Sequence, residues 1–142
     1  MKKLLSTIGF VLLSITILLA QDNWELQTSR ITSKWAKTVK PGSVLPEYPR
    51  PHLVRSEWLN LNGLWDYAIA GSDTEKPAGF DGKILVPFAV ESALSGLKLR
   101  LSPRQSLWYR CNFEIPENWN SKNILINFGA VYWEATVYVN GV

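Results

Sequence analysis

The sequence predicts an all-β sandwich, and three observations carry that prediction. Short runs of alternating apolar and polar residues recur in the second half of the chain, the period of strands with one buried face. Gly, Pro and Asn-Gly turn signals separate those runs at short intervals. No long amphipathic helical period, internal repeat, coiled coil or low-complexity tract competes with this pattern.

The chain has 142 residues, and the first twenty read as a leader. MKKLLSTIGFVLLSITILLAQ opens on Lys2 and Lys3, runs apolar to Leu19 and reaches Ala20 before a polar stretch. That is the layout of a secretory signal peptide with cleavage after Ala20. A membrane anchor is the alternative, but the apolar run is about 16 residues and contains Ser6, Thr7, Ser14 and Thr16. A spanning helix needs roughly 20 apolar residues. No cysteine near the cut offers a lipid attachment point. The protein is therefore expected to be exported, periplasmic or extracellular, with no membrane attachment after cleavage.

Removing the leader changes the charge argument. Lys and Arg total 15 against 12 Asp and Glu; losing Lys2 and Lys3 leaves 13 against 12, a net of +1. Nucleic-acid binders gather basic residues on one face, and no such footprint remains. The single Cys111 cannot form an internal disulfide, so the exported chain must hold together by packing. It falls on the apolar side of an expected strand, which favours a buried, inert thiol. All seven tryptophans, at 24, 35, 58, 65, 108, 119 and 133, lie after the leader. They fit either a sandwich core or a sugar-stacking surface.

Residues 21–57 read as an extended, proline-rich lead-in. Ile31 to Val39 allows a short helical turn, and Pro41, Pro46, Pro49 and Pro51 exclude regular structure beyond it. His52, the only histidine, sits in this strap without neighbours that would make it a metal ligand or general base. Residues 58–142 read as the sandwich proper. A turn at Asn62-Gly63 leads into a strand over Leu64–Ile69, in which Trp65, Tyr67 and Ile69 alternate with Leu64, Asp66 and Ala68. GSDTEKPAGFDG (71–82) is a polar loop, and Ile84–Val86 a short strand closed by Pro87. Residues 88–105 form a long loop. Leu107 to Ile115 alternates as a strand that places Trp108 outward, and Pro116 ends it. Trp119 is expected to plug one end of the core. Ile124, Ile126 and Phe128 form a further inward set. Trp133, Ala135, Val137 and Val139 then lead into Asn140-Gly141, the dipeptide that best accepts positive φ at both central turn positions. Such a turn predicts a return strand, and with only Val142 following it the sequence reads as part of a longer chain, its sandwich incomplete at the C-terminus.

No motif makes an active site. There is no phosphate-cradling glycine loop and no cysteine/histidine cluster for a metal, so no cofactor or metal is expected. Glycoside hydrolysis uses paired carboxylates, and the candidates are Glu91, Glu114, Glu117 and Glu134. Glu114 and Glu134 fall on outward strand faces and Glu117 in a turn, where solvated carboxylates are ordinary. Glu91 follows a strand end and a proline, in a loop beside Ser92, Ser95 and Gly96, where ligand-contacting residues often sit on a rigid scaffold. Trp108, facing outward, is the better candidate for stacking on a sugar ring. Glu91 and Trp108 are therefore the substrate-binding candidates, and no residue is a catalytic candidate.

The order SKWAKTVKPGSVLPEYPRPHLVRSEWLNLNGLWDYAI, ILVPFAVESALSG and LWYRCNFEIPENWNSKNILINFGAVYWEATVYVNG resembles the start of glycoside hydrolase family 2 enzymes, which include β-galactosidases, β-glucuronidases and β-mannosidases. The match runs from about residue 33 to 142 and is strongest in LNGLW and in WYR…FGAVYWEATVYVNG. The lead-in with LPEYPRP resembles exported enzymes of Bacteroidetes-type bacteria. The resemblance implies a jelly-roll-like, galactose-binding-domain-like sandwich that is non-catalytic and packs on C-terminal domains, with both catalytic glutamates on a later barrel. It also implies a β-glycoside as the carbohydrate partner of the complete enzyme. A stand-alone carbohydrate-binding module without hydrolase activity is the alternative, and a purely structural sandwich a third possibility. One departure stands out. The best-known β-galactosidases of the family carry a substrate-reaching asparagine just after the valine-proline strand end, whereas this chain reads Pro87-Phe88-Ala89-Val90-Glu91. Glu91 is the polar candidate left in that loop.

Overall fold

The computed structural model describes residues 24–142, and the leader expected over residues 1–20 lies outside them. The described chain is β-rich, its regular structure being an open antiparallel sheet with a few single-turn 3-10 helices. Three strands form it: β1 (Gly63–Gly71), β2 (Gly82–Val86) and β3 (Gln105–Arg110), in the order β2-β1-β3. β1 and β2 lie where the alternation placed them. The chain separates into two compact units, one ending at Asn112 and one spanning Phe113–Val142.

The sheet register follows from local hydrogen bonding. Leu64 pairs with Leu85 and Trp65 with Ile84, while on the other side Ala68 pairs with Trp108 and Tyr67 with Tyr109. β2 begins at Gly82, so the Ile69 amide has no strand partner on that side. The Asp81 carboxylate takes it at 2.8 Å, and the Asp81 amide donates to the Tyr67 carbonyl at 2.8 Å. This side chain extends the ladder by one step where backbone pairing stops.

Burial in the sheet is not confined to one face. Ala68 is among the most buried residues, and Ile84 and Leu85 are both 0% exposed although they point to opposite faces. Chain therefore covers both faces of the sheet at β2, and alternation records only part of that burial. Trp108 shares the Ala68 face and is half-buried, its indole nitrogen out of solvent, rather than facing outward. β3 also stops at Arg110, short of Ile115. Alternation marks two faces of an extended segment; a strand additionally needs a partner backbone.

The same physics accounts for Phe113–Val142. Its one regular element is a 3-10 turn over Glu117–Trp119, closed by the Trp119 amide on the Pro116 carbonyl at 2.8 Å, and Trp119 is half-buried. Ile124, Ile126 and Phe128, expected inward, are exposed, and so is Trp133 at 78%. The Asn140-Gly141 turn does form. Both residues have positive φ, 54° and 86°, and Val139 and Val142 exchange backbone hydrogen bonds of 2.9 and 3.2 Å. The segment before the turn has the pattern of a strand and no ladder among the described residues.

The lead-in is tied to the sheet unit at two places. At the first, Asn60 donates to the Leu45 carbonyl at 2.9 Å and Asn62 to the Val44 carbonyl at 3.3 Å. Val44 is thereby buried, and Leu45 takes a positive φ. The LNLNG stretch is thus more than a turn signal, because its two amides dock the proline strap. Tyr48 and Trp58 add an edge-to-face ring pair at 4.9 Å. The second tie, by Trp24 to Thr28, shapes the candidate site. The helical turn expected within Ile31–Val39 is a 3-10 turn over Ala36–Thr38, with Ala36 buried.

Candidate functional site

After β2 the chain turns through Pro87 and enters residues 88–99, a loop held almost entirely by its own hydrogen bonds. The Phe88 amide donates to the Leu85 carbonyl at 3.1 Å, Ser92 to Ala89 at 2.8 Å and Leu99 to Val90 at 3.0 Å. Within it, Ser92 caps a 3-10 turn over Ala93–Ser95 by accepting the Leu94 amide at 3.2 Å. Ser95 is the hub, 0% exposed. Its hydroxyl donates to the Ser92 carbonyl at 2.7 Å, lies 3.1 Å from the Val90 carbonyl and accepts the Leu97 amide at 3.1 Å. A hydroxyl that serves donor and acceptor roles at once lets a non-repeating backbone be buried without unpaired groups. The sequence pattern marked Ser95 only as a polar break.

The lead-in closes over this loop from the other side. Trp24 donates its indole N–H to the Leu94 carbonyl at 3.0 Å, and the Gln27 amide donates to the Ala93 carbonyl at 3.1 Å. The Lys98 ammonium donates to the Thr28 carbonyl. Gly96, at φ 86°, lies under the indole, where a Cβ would come within 2.4 Å of Trp24 Cδ1. Only glycine satisfies both the left-handed backbone and that approach.

Between the two segments lies an open groove of about 310 Å³, lined by Ser29, Ile31, Thr32, Ser33 and Ala36 on one wall and Glu91, Ser92, Ala93 and Leu94 on the other. That volume is at the lower end of the roughly 300–1,000 Å³ typical of small-molecule pockets. Its polar chemistry is one carboxylate and several hydroxyls. Glu91 is exposed and makes no hydrogen bond or ion pair among the described residues. Ser29 Oγ is engaged with the backbone of Ile31. Such a surface both accepts and donates hydrogen bonds, with apolar patches from Ile31 and Leu94 between them.

The structure places the two substrate-binding candidates in different settings. Glu91 is on the groove wall; Trp108 is in β3 opposite Ala68 and does not line the groove. Glu91 does act on a neighbour in β3. Burial pushes the Tyr109 phenol above its usual range, and the Glu91 charge adds to the effect. The groove wall that sequence reasoning missed is Ser29–Ala36. Its signal lay in Trp24 and Gly96, a large ring and a glycine 72 positions apart, which no local pattern connects. Of the other carboxylates considered, Glu114, Glu117 and Glu134 all belong to Phe113–Val142 and are exposed.

Among the described residues no three His, Cys, Asp or Glu side chains gather as a metal site, and no helix is long and apolar enough to cross a membrane. No protein-family model matches the chain, and no curated protein matches it.

Proposed function

We propose that the chain is the non-catalytic, sugar-binding part of an exported glycoside hydrolase of the family 2 type, a jelly-roll-like sandwich whose Glu91 loop borders the substrate. The observation that carries this reading is the groove, where one unpaired carboxylate and the side chains of Thr32 and Ser33 line a space large enough for a pyranose, the Ser29 and Ser92 hydroxyls being engaged with backbone. A carboxylate accepts two sugar hydroxyls at once, and serine and threonine hydroxyls donate or accept as the ligand requires. The resemblance of the LNGLW and WYR…VYVNG blocks supports the family, and the antiparallel sheet is compatible with half of a sandwich. Hydrolysis needs a second carboxylate held several ångströms from the first. Among the described residues Glu91 has no acidic companion on the groove walls, and the resemblance attributes the acid and the nucleophile to a later barrel.

A stand-alone carbohydrate-binding module is the second reading, favoured by the fact that both groove walls belong to the unit ending at Asn112. Titration calorimetry with methyl β-galactoside, β-mannoside and β-glucoside separates the two. A bordering loop gives weak dissociation constants of about 1–10 mM, lost on Glu91→Ala; a module binds tighter than about 10 µM. Absence of binding to all three would overturn both. The chain is also expected to hydrolyse no aryl β-glycoside, and turnover abolished by Glu91→Gln would show the non-catalytic assignment to be mistaken.

A further inference from the structure

We propose that the groove selects its sugars by charge, accepting neutral and amino-bearing glycosides and turning away uronates, with Glu91 as the specificity-determining residue. This rests on the sugar-binding reading and narrows it to a substrate class.

Among the described residues Glu91 is the only ionisable side chain lining the groove. None of the lysines nearest in sequence to the two walls, Lys34, Lys37 and Lys98, is part of the lining. Lys98 donates its ammonium to the Thr28 carbonyl, and Lys34 lies over the Trp35 ring at 4.6 Å. Arg30 stands between two wall residues, yet its side chain is not part of the lining. No cation on the described chain pairs with Glu91, so its charge is presented to whatever enters. An exposed carboxylate without a cation beside it in the lining attracts a cationic ligand and repels an anionic one.

The consequence is a ranking. A uronate brings a second carboxylate into the groove, without the arginine or lysine that a site built for it would supply. An amino sugar brings an ammonium that Glu91 can meet directly. A neutral sugar is bound by hydrogen bonds alone. At separations near 4 Å and water-like screening, each change of ligand charge is worth about a five-fold change in affinity.

The test uses the whole chain and three ligands that differ mainly in charge: methyl β-glucosaminide, methyl β-glucoside and methyl β-glucuronide, titrated in mildly acidic buffer where the ligand amine is an ammonium. Binding is expected to fall in that order by about five-fold per step. The steps should shrink in about 0.5 M NaCl, vanish in Glu91→Gln and reverse in Glu91→Lys. Glu91 is exposed, so these substitutions leave the fold intact, which circular dichroism verifies. Equal affinities in the wild type, or an order that persists in Glu91→Gln, would overturn charge selection while leaving sugar binding in place. No binding of any of the three would overturn both.

Discussion

Asp66 shows how much one side chain can organise in a small sheet. It lies on the central strand, with Lys83 opposite on β2 and Arg110 opposite on β3. Lys83 Nζ reaches Asp66 Oδ1 at 2.9 Å, and Arg110 donates from Nε and Nη2 to Oδ2 at 2.9 and 2.8 Å. Arg110 also lies over the Phe80 ring at 4.0 Å, which fixes the guanidinium plane. Burial raises the Asp66 carboxyl, but the hydrogen bonds and charges of Lys83 and Arg110 outweigh it and hold the group below its usual range. A carboxyl depressed in the folded state adds stability above its unfolded pKa, about 3.9, and that contribution is lost as pH falls through the lower folded value. Asp66→Asn is therefore expected to cost about 1–2 kcal/mol at neutral pH and much less at pH 3. Urea unfolding at the two pH values checks this, and an unchanged acid dependence in the variant would show that the triad is ornamental to stability. The neighbouring Cys111 thiol is pushed up by burial, with the Asp66 charge adding and Lys83 opposing.

At the scale of elements, legibility divides along physical lines. β1 and β2 could be read because alternation and turn residues are local signals, and the Asn140-Gly141 turn because its dipeptide fixes the backbone sign. β3 could be read only to Arg110, because the continuing pattern to Ile115 describes faces and says nothing of a partner. The 88–99 loop was legible as irregular but not as rigid, since hydroxyl-to-backbone bonds such as those of Ser95 have no period. Ser95→Ala should cost about 1–3 kcal/mol through the carbonyls and amides it strands. Gly96→Ala should cost at least as much, from the left-handed φ and the clash with the indole. In a Trp24→Ala background the clash portion disappears, so the two substitutions are non-additive in a thermal-unfolding cycle. Strict additivity would mean that the indole does not lie over the loop in solution.

For the molecule as a whole, the candidate site was half legible. Glu91 was singled out by its place after a strand-ending proline, while the Ser29–Ala36 wall depended on a docking that spans most of the chain. The other whole-chain property is the apolar surface of Phe113–Val142. Phe128, Val131, Trp133, Val137 and Val139 are all more than half exposed, and Tyr132 is exposed at 94%. Apolar surface on this scale favours association. The chain in isolation is expected to self-associate, its apparent mass by light scattering rising with concentration; a strictly monomeric sample with a sharp thermal transition would contradict this.

The closeness of indole and glycine has an evolutionary corollary. A chain that keeps the ring at position 24 tolerates no side chain at position 96, whereas one that has shed the ring gains room there. Descendants of this sequence should therefore exchange the two positions together, a correlated substitution linking the 24–28 segment to the rim beside Glu91.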